Sequence, residues 1–376
     1  MASSAHKQHH LLPNLYGGAT SAPPPTPSTT SNNLLSTFDA ADTLSRLLNR
    51  LPPNLSLPTR RSPTPTTPTS PPSISLSSQT PNDLLTSISQ LGYAQLTNNP
   101  VPSQLANSAE SEALSLFNLP HDQKESLFPT NWPLGYNNGN DDDDDENKLG
   151  ESFRLDSSCS PELPLGSLRE FTRELEKMGL KIIDMLTNAL ELENPVGEDD
   201  PTRFHSVMWV SECLPGIRPD SSGFYPFIVG LQYQIRCQKY SLLSDSGWVS
   251  VLPHVDSILV TVGDIAQVWS NGKLKKVRGR PVATVGDEND SRCITMSLLI
   301  TLPTESTVAP LPPKAIAIDS KDQKDQEGED KEINVDGEGE REEERVFNSF
   351  DFEDYAWRVY HERLLFKDPL DRYRVA

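Results

Sequence analysis

The sequence predicts an α+β protein: a double-stranded β-helix (jelly-roll) barrel flanked by helices and preceded by a disordered N-terminal tail. Three observations carry this expectation. Residues 204–302 hold a series of short apolar runs punctuated by Gly, Pro, Asn and Asp, the pattern of many short strands joined by tight turns. Residues 167–192 place Leu168, Phe171, Leu175, Met178, Ile182, Met185, Leu186 and Leu190 at helical spacing, a stripe that needs a sheet or another helix to cover it. Residues 1–80 are dominated by Ser, Thr, Pro and Asn and bury too little apolar surface to offset their ordering entropy.

Along the chain, Leu35, Phe38, Leu44, Leu47 and Leu48 form one apolar face and predict a short helix within the tail. Leu84, Ile88 and Leu91 predict a helix after Asn82 that stops at Gly92, and Tyr93–Thr97 alternates as a half-buried strand. A second helix begins near Val101-Pro102-Ser103 and closes at Leu119-Pro120. Strands are then expected at 204–210, 227–235, 248–252, 258–262, 265–269, 275–278 and 294–302, and a last helix at 350–366. The domain plan is a tail at 1–80, a helical region at 81–200 with an acidic insert at 141–146, the jelly-roll core at 201–313, an acidic linker at 314–346 and a C-terminal helical segment at 347–376.

The formal net charge of -20 argues against nucleic acid as a partner, because no basic patch is present for phosphates. Both acidic stretches read as solvated loops, since like charges repel and aromatic anchors are missing. No apolar run approaches the roughly 20 residues needed to cross a membrane, and no signal-peptide core follows the start. Cys159, Cys213, Cys237 and Cys293 are too far apart for a CxxC site or a disulfide ladder and fit a reducing compartment. A cytoplasmic or nuclear location is expected. The Ser-rich start with scattered Arg46, Arg50, Arg60 and Arg61 gives the chloroplast as the alternative. The partner expected is a protein or a small molecule.

Several segments together resemble the plant 2-oxoglutarate/Fe(II)-dependent dioxygenases of the gibberellin-oxidase and aminocyclopropane-carboxylate-oxidase type. They are Asn98-Asn99-Pro100-Val101-Pro102, Phe117-Asn118-Leu119-Pro120, Gly135-Tyr136, Glu151-Ser152-Phe153, Val262-Gly263-Asp264 and Ser270-Asn271-Gly272-Lys273 through Arg280. The resemblance runs from Pro81 to Tyr373 and implies the jelly-roll fold, iron held by a His-x-Asp pair with a distal His, and 2-oxoglutarate gripped by an Arg-x-Ser pair. Matched residue by residue, Gly223-Phe224-Tyr225-Pro226-Phe227-Ile228-Val229 puts Phe227 at the first histidine and Val229 at the carboxylate, and Gly279 falls at the distal histidine. None of these side chains can ligate a metal.

Arg292 matches the 2-oxoglutarate arginine, Ile294 stands at the serine position with Thr295 the substitute if the strand shifts by one, and His205 and Val207 stand at an Asn-x-Tyr pair. His254-Val255-Asp256 is a literal His-x-Asp, but it falls where the family has a surface loop and no later histidine follows at a useful distance. The expectation is a catalytically inactive relative that binds or regulates, with no catalytic residue, no cofactor and Arg292 as a vestige. The alternative is an active 2-oxoglutarate-dependent oxidoreductase that acts on a small hormone-like or specialised metabolite and uses Fe(II) and 2-oxoglutarate through atypical ligands.

Overall fold

The structure is a computed structural model, and it describes residues 67–76, 81–138, 150–156, 163–195, 203–213, 224–284, 293–314, 345–362 and 367–375. The expected helix within the tail, the acidic insert at 141–146, residues 315–344 of the acidic linker, Cys159 and Arg292 lie outside these residues.

In chain order the elements are β1 (Ser73–Ser75), α1 (Pro81–Leu91), β2 (Tyr93–Thr97), α2 (Ser103–Phe117), α3 (His121–Leu127), β3 (Gly135–Asn137), β4 (Ser152–Leu155) and α4 (Gly166–Ala189). The core follows as β5 (His205–Cys213), β6 (Val229–Tyr233), β7 (Lys239–Ser244), β8 (Gly247–Val251), β9 (Ile258–Val262), α5 (Asp264–Trp269), β10 (Val277–Thr284) and β11 (Cys293–Thr301). Next come β12 (Thr307–Val308), β13 (Phe350–Asp351), α6 (Phe352–Glu362) and a 3-10 turn, Pro369–Tyr373.

The large sheet has the order β1-β2-β9-β6-β11-β5-β4-β3, and the small one β10-β7-β8. Together they make the two walls of the expected jelly roll. The helical layer covers the outer face of the large sheet. There Gly179 of α4 comes so close to Ile300 and Leu231 that a Cβ would overlap them. Leu168, Phe171, Leu175, Met178, Ile182 and Leu186 of the α4 stripe are buried as their spacing predicts, with Met185 and Leu190 partly buried at its edge, and the main core lies between that helix and the sheet. A second apolar cluster of Tyr93, Tyr240, Leu242, Val251, Leu259 and Val277 joins the two sheets.

Four differences from the expected elements are informative. Residues 67–76 of the expected tail are part of the fold: Thr69 bridges to Val251 of the small sheet, and β1 pairs in parallel with β2 of the large one. Pro and Ser do not prevent this, because an edge strand needs only one row of backbone bonds; Gln95 anchors the segment further by donating to Ser70 Oγ (3.2 Å) and Pro71 O (2.9 Å). Residues 265–269 form helix α5 and not a strand. All of them are buried, so the run carries no polar face from which a period could be read. The expected 275–278 strand is displaced to Val277–Thr284. The short elements β3, β7 and α3 show no period of their own in the sequence.

Candidate functional site

Strand alternation fixes what lines the barrel. Leu231 and Ile300 meet α4, so on β6 and β11 the residues between them, Gly230, Gln232, Ser297 and Leu299, face inward. Register carries this across the sheet. One inward row is Val207, Leu299, Gly230 and Thr261; the next is Arg154, Trp209, Ser297 and Gln232, with Ser297 Oγ donating to Gln232 Oε1 at 3.2 Å.

The expected ligand positions do not converge on one point. Phe227 is buried inside the barrel, and its ring lies over Gly230 and against Gly263. Val207 lies on the same inward row. Gly279 has φ +63°, and a Cβ there would run into the ring of Phe224. Val229 is turned outward, beside Ile183 and Leu186 of α4 in an apolar cavity of about 20 Å3. The resemblance implies one uninterrupted segment over residues 223–229. In the structure residues 224–227 form no strand and β6 opens at Val229, so alternation puts that side chain on the helical face.

The co-substrate positions are also redistributed. Ile294 shares the outward parity of Met296, Leu298 and Ile300, whereas Thr295 and Ser297 face the barrel. His205 is half-buried at the start of β5, opposite Thr301. The His254-Val255-Asp256 segment is an exposed turn between β8 and β9, with Asp256 at φ +59°. Its Asp256 carboxylate accepts from the Tyr233 hydroxyl at 3.1 Å; burial first and this carboxylate second push Tyr233 up to about 12.

Fe(II) needs nitrogen and carboxylate donors on one face. Among the described residues, no three His, Cys, Asp or Glu side chains are grouped to hold a metal ion. The space beside Gly279 is taken by a hydrocarbon ring. The residues at these positions therefore do not fit the ion.

Two buried cations stand out in its place. Lys276, fully buried on the turn into β10, contacts Asp264 of α5 at 2.8 Å and Asp368 of the C-terminal segment at 2.6 Å, and Arg278 adds a 3.5 Å contact to Asp368. Burial would raise the Asp368 carboxyl, but the Lys276 ammonium, the Leu370 N–H and the Arg278 guanidinium outweigh it and hold the group below the ordinary carboxylate value. The Tyr355 hydroxyl beside this cluster is pushed well up, by burial first and then by the Asp264 and Asp368 charges.

The other cation is Arg154 of β4, 2% exposed. Its guanidinium lies 5.6 Å from the Trp209 ring and 5.3 Å from that of Tyr360, and one amino group donates to Tyr360 Oη at 2.9 Å. Arg280 approaches the same indole to 5.0 Å. Sequence reading missed Arg154, Trp209, Phe224 and Lys276. For Arg154 a signal existed, because Ser152-Phe153-Arg154-Leu155 alternates and so sets a charge on an inner face.

The fold is that of the 2-oxoglutarate/Fe(II) oxygenases. Structures similar to this chain include JOX2 in complex with 2OG, Fe and JA, at TM-score 0.60 and 17% identity over 82% of this chain and 90% of that one. Another is the dioxygenase for auxin oxidation in rice, at TM-score 0.55 and 18% identity over 81% and 99%. No family profile matches the chain.

By sequence the chain is similar to gibberellin 2-beta-dioxygenase 1 of Pisum sativum, 24% identical over 250 residues that make up 59% of this chain and 73% of that one. It is also similar to gibberellin 2-beta-dioxygenase 6 of Oryza sativa subsp. japonica, 27% identical over 52% of this chain and 60% of that protein's length. A third relative, 1-aminocyclopropane-1-carboxylate oxidase 2 of a Doritaenopsis species, is 27% identical over 51% and 64%. The chain thus spans less than two thirds of the second and third relatives.

Proposed function

We propose that this chain is a 2-oxoglutarate/Fe(II) dioxygenase-like protein that has lost the iron-dependent reaction and serves as a binding or regulatory protein. One observation carries the reading. Phe227, Val229 and Gly279 stand at the ligand positions of the resemblance, and the ring of Phe224 fills the place that a side chain at 279 would need. An isolated carboxylate or imidazole without its metal is costly in a barrel interior, so apolar replacement is the stable alternative once the ion is gone. On this reading Arg292 is a remnant of the co-substrate site, and the partner is a protein or small molecule in the cytoplasm, nucleus or chloroplast.

The test is a titration of purified protein with Fe(II) and 2-oxoglutarate under anaerobic conditions, followed by admission of oxygen. Substoichiometric, weak iron binding and no succinate are expected. Tight one-to-one iron binding, or succinate formed in proportion to 2-oxoglutarate consumed, would overturn the proposal. The second reading, an active oxygenase with atypical ligands, draws its support from the names of the relatives, which are dioxygenases and an oxidase. It requires His205 or His254 to be a ligand, so turnover that survives both His205→Ala and His254→Ala excludes that form of it.

A further inference from the structure

We propose that the inner wall formed by β4 and β5 is a binding site for a small monocarboxylate with a flat, apolar body, held by the Arg154 guanidinium and the Trp209 indole N–H. The inference rests on the binding-protein reading for its biological use but not for its chemistry, which these side chains carry by themselves.

Arg154 is buried, and a guanidinium cannot shed its charge at any physiological pH. Among the described residues no carboxylate pairs with it. Its amino group satisfies Tyr360, while its buried Nε–H has no acceptor. Beside it on the adjacent strand, the buried Trp209 Nε1–H also lacks an acceptor, as do the Trp132 Nε1–H and, two residues along β5, the Ser211 hydroxyl. The unmatched atoms are donors: three N–H groups that can do nothing else, and one hydroxyl that can. What such a wall lacks is an acceptor, and beside a buried permanent cation the fitting acceptor is an anion.

The surroundings define the rest of the ligand. Trp132 packs edge-on against Tyr225 (5.8 Å between ring centroids) and Tyr360 (6.3 Å), so the donors are framed by aromatic faces that suit a planar hydrocarbon and not a hydrated phosphate. A second cation, Arg280, flanks the indole and adds to the positive field around it. Burial raises the Tyr225 hydroxyl while the Arg154 charge opposes that shift, which places the phenol within the field of the same guanidinium. This wall is separate from the expected 2-oxoglutarate arginine: Arg154 comes from β4, whereas Arg292 precedes β11.

The experiment uses the full chain in EDTA, with benzoate and phenylacetate as probes and benzamide, 2-oxoglutarate and inorganic phosphate as comparators, followed by calorimetry and by tryptophan fluorescence. Saturable one-to-one binding of an aromatic carboxylate is expected, with benzamide and phosphate at least about tenfold weaker. Arg154→Met and Trp209→Phe should each weaken benzoate about tenfold or more, while a native melting transition shows that the variants are folded. Benzoate that fails to bind at 10 times about 1 mM, or that binds Arg154→Met as well as it binds the natural protein, would overturn the site, as would 2-oxoglutarate binding more tightly than benzoate. Carboxylate binding together with succinate production would overturn only the inactive reading. Absence of both would leave that reading standing and remove this one.

Discussion

Lys276 and Arg154 are both buried cations, 0% and 2% exposed, yet their surroundings are opposite. Lys276 sits between two carboxylates from different parts of the chain, Asp264 and Asp368. Arg154 has aromatic faces and a single phenol, and a carboxylate is absent from its described neighbours. A charge fully compensated from within is a structural tie. A charge left with open donors is set toward something that arrives from outside. Burial alone therefore does not distinguish a structural ion from a binding one; the list of partners does.

The contrast can be broken most sharply at Lys276. Lys276→Met should lower the unfolding free energy by about 3–5 kcal/mol, because it removes the ammonium that both carboxylates contact, leaving the buried Asp264 without that partner and the half-buried Asp368 with the 3.5 Å contact to Arg278. Urea denaturation measures this, and a loss below about 1 kcal/mol would show that the cluster is not a tie. The same cluster predicts a pH response. Asp368 is more acidic in the folded state, so the unfolded chain binds more protons and stability rises with pH across that window. The contribution is complete above the ordinary carboxylate value of about 4 and is lost as pH falls through the lower folded value. Urea midpoints taken downward from pH 6 should decline below that point, and the decline should be shallower in Lys276→Met.

Gly279→Ala is expected to cost about 1–3 kcal/mol, since it combines a left-handed φ with overlap on the Phe224 ring. Recovery in the double variant with Phe224→Ala would sharpen the point that this end of the barrel is packed and not open. Arg154→Met, by contrast, should change the stability of the ligand-free protein by no more than about 1 kcal/mol, because the lost phenol bond is offset by removal of an uncompensated buried charge. A loss as large as that at Lys276 would erase the distinction between the two cations. The smallest effect is expected at His254→Ala, within about 0.5 kcal/mol, for an exposed turn whose ring has one 3.5 Å contact with Ser70.

Much of the fold was legible because it is written in periods. The α4 stripe and the β2, β9 and β11 runs follow from spacing alone. Helix α5 was not, since a segment buried on every side shows no alternation. The site was legible only as a set of substitutions. Spacing from Gly223 could indicate which residues stand at ligand positions, but not that the strand would open at Val229 and turn that residue outward. Nor could it bring Phe224 to Gly279, a contact between residues 55 positions apart that depends on how the two sheets close. Arg154 was missed for a related reason: its meaning comes from Trp209 and Tyr360, which reach it only in three dimensions.

The tie between Lys276 and Asp368 spans 92 positions of the chain, and the acidic stretch from Asp319 to Arg345 lies inside that interval. Closing a flexible loop becomes harder only with the logarithm of its length, about 0.6 kcal/mol for each doubling. A clasp of this strength can therefore hold the last residues of the protein on the barrel at a cost that grows only slowly with the number of residues between its two ends.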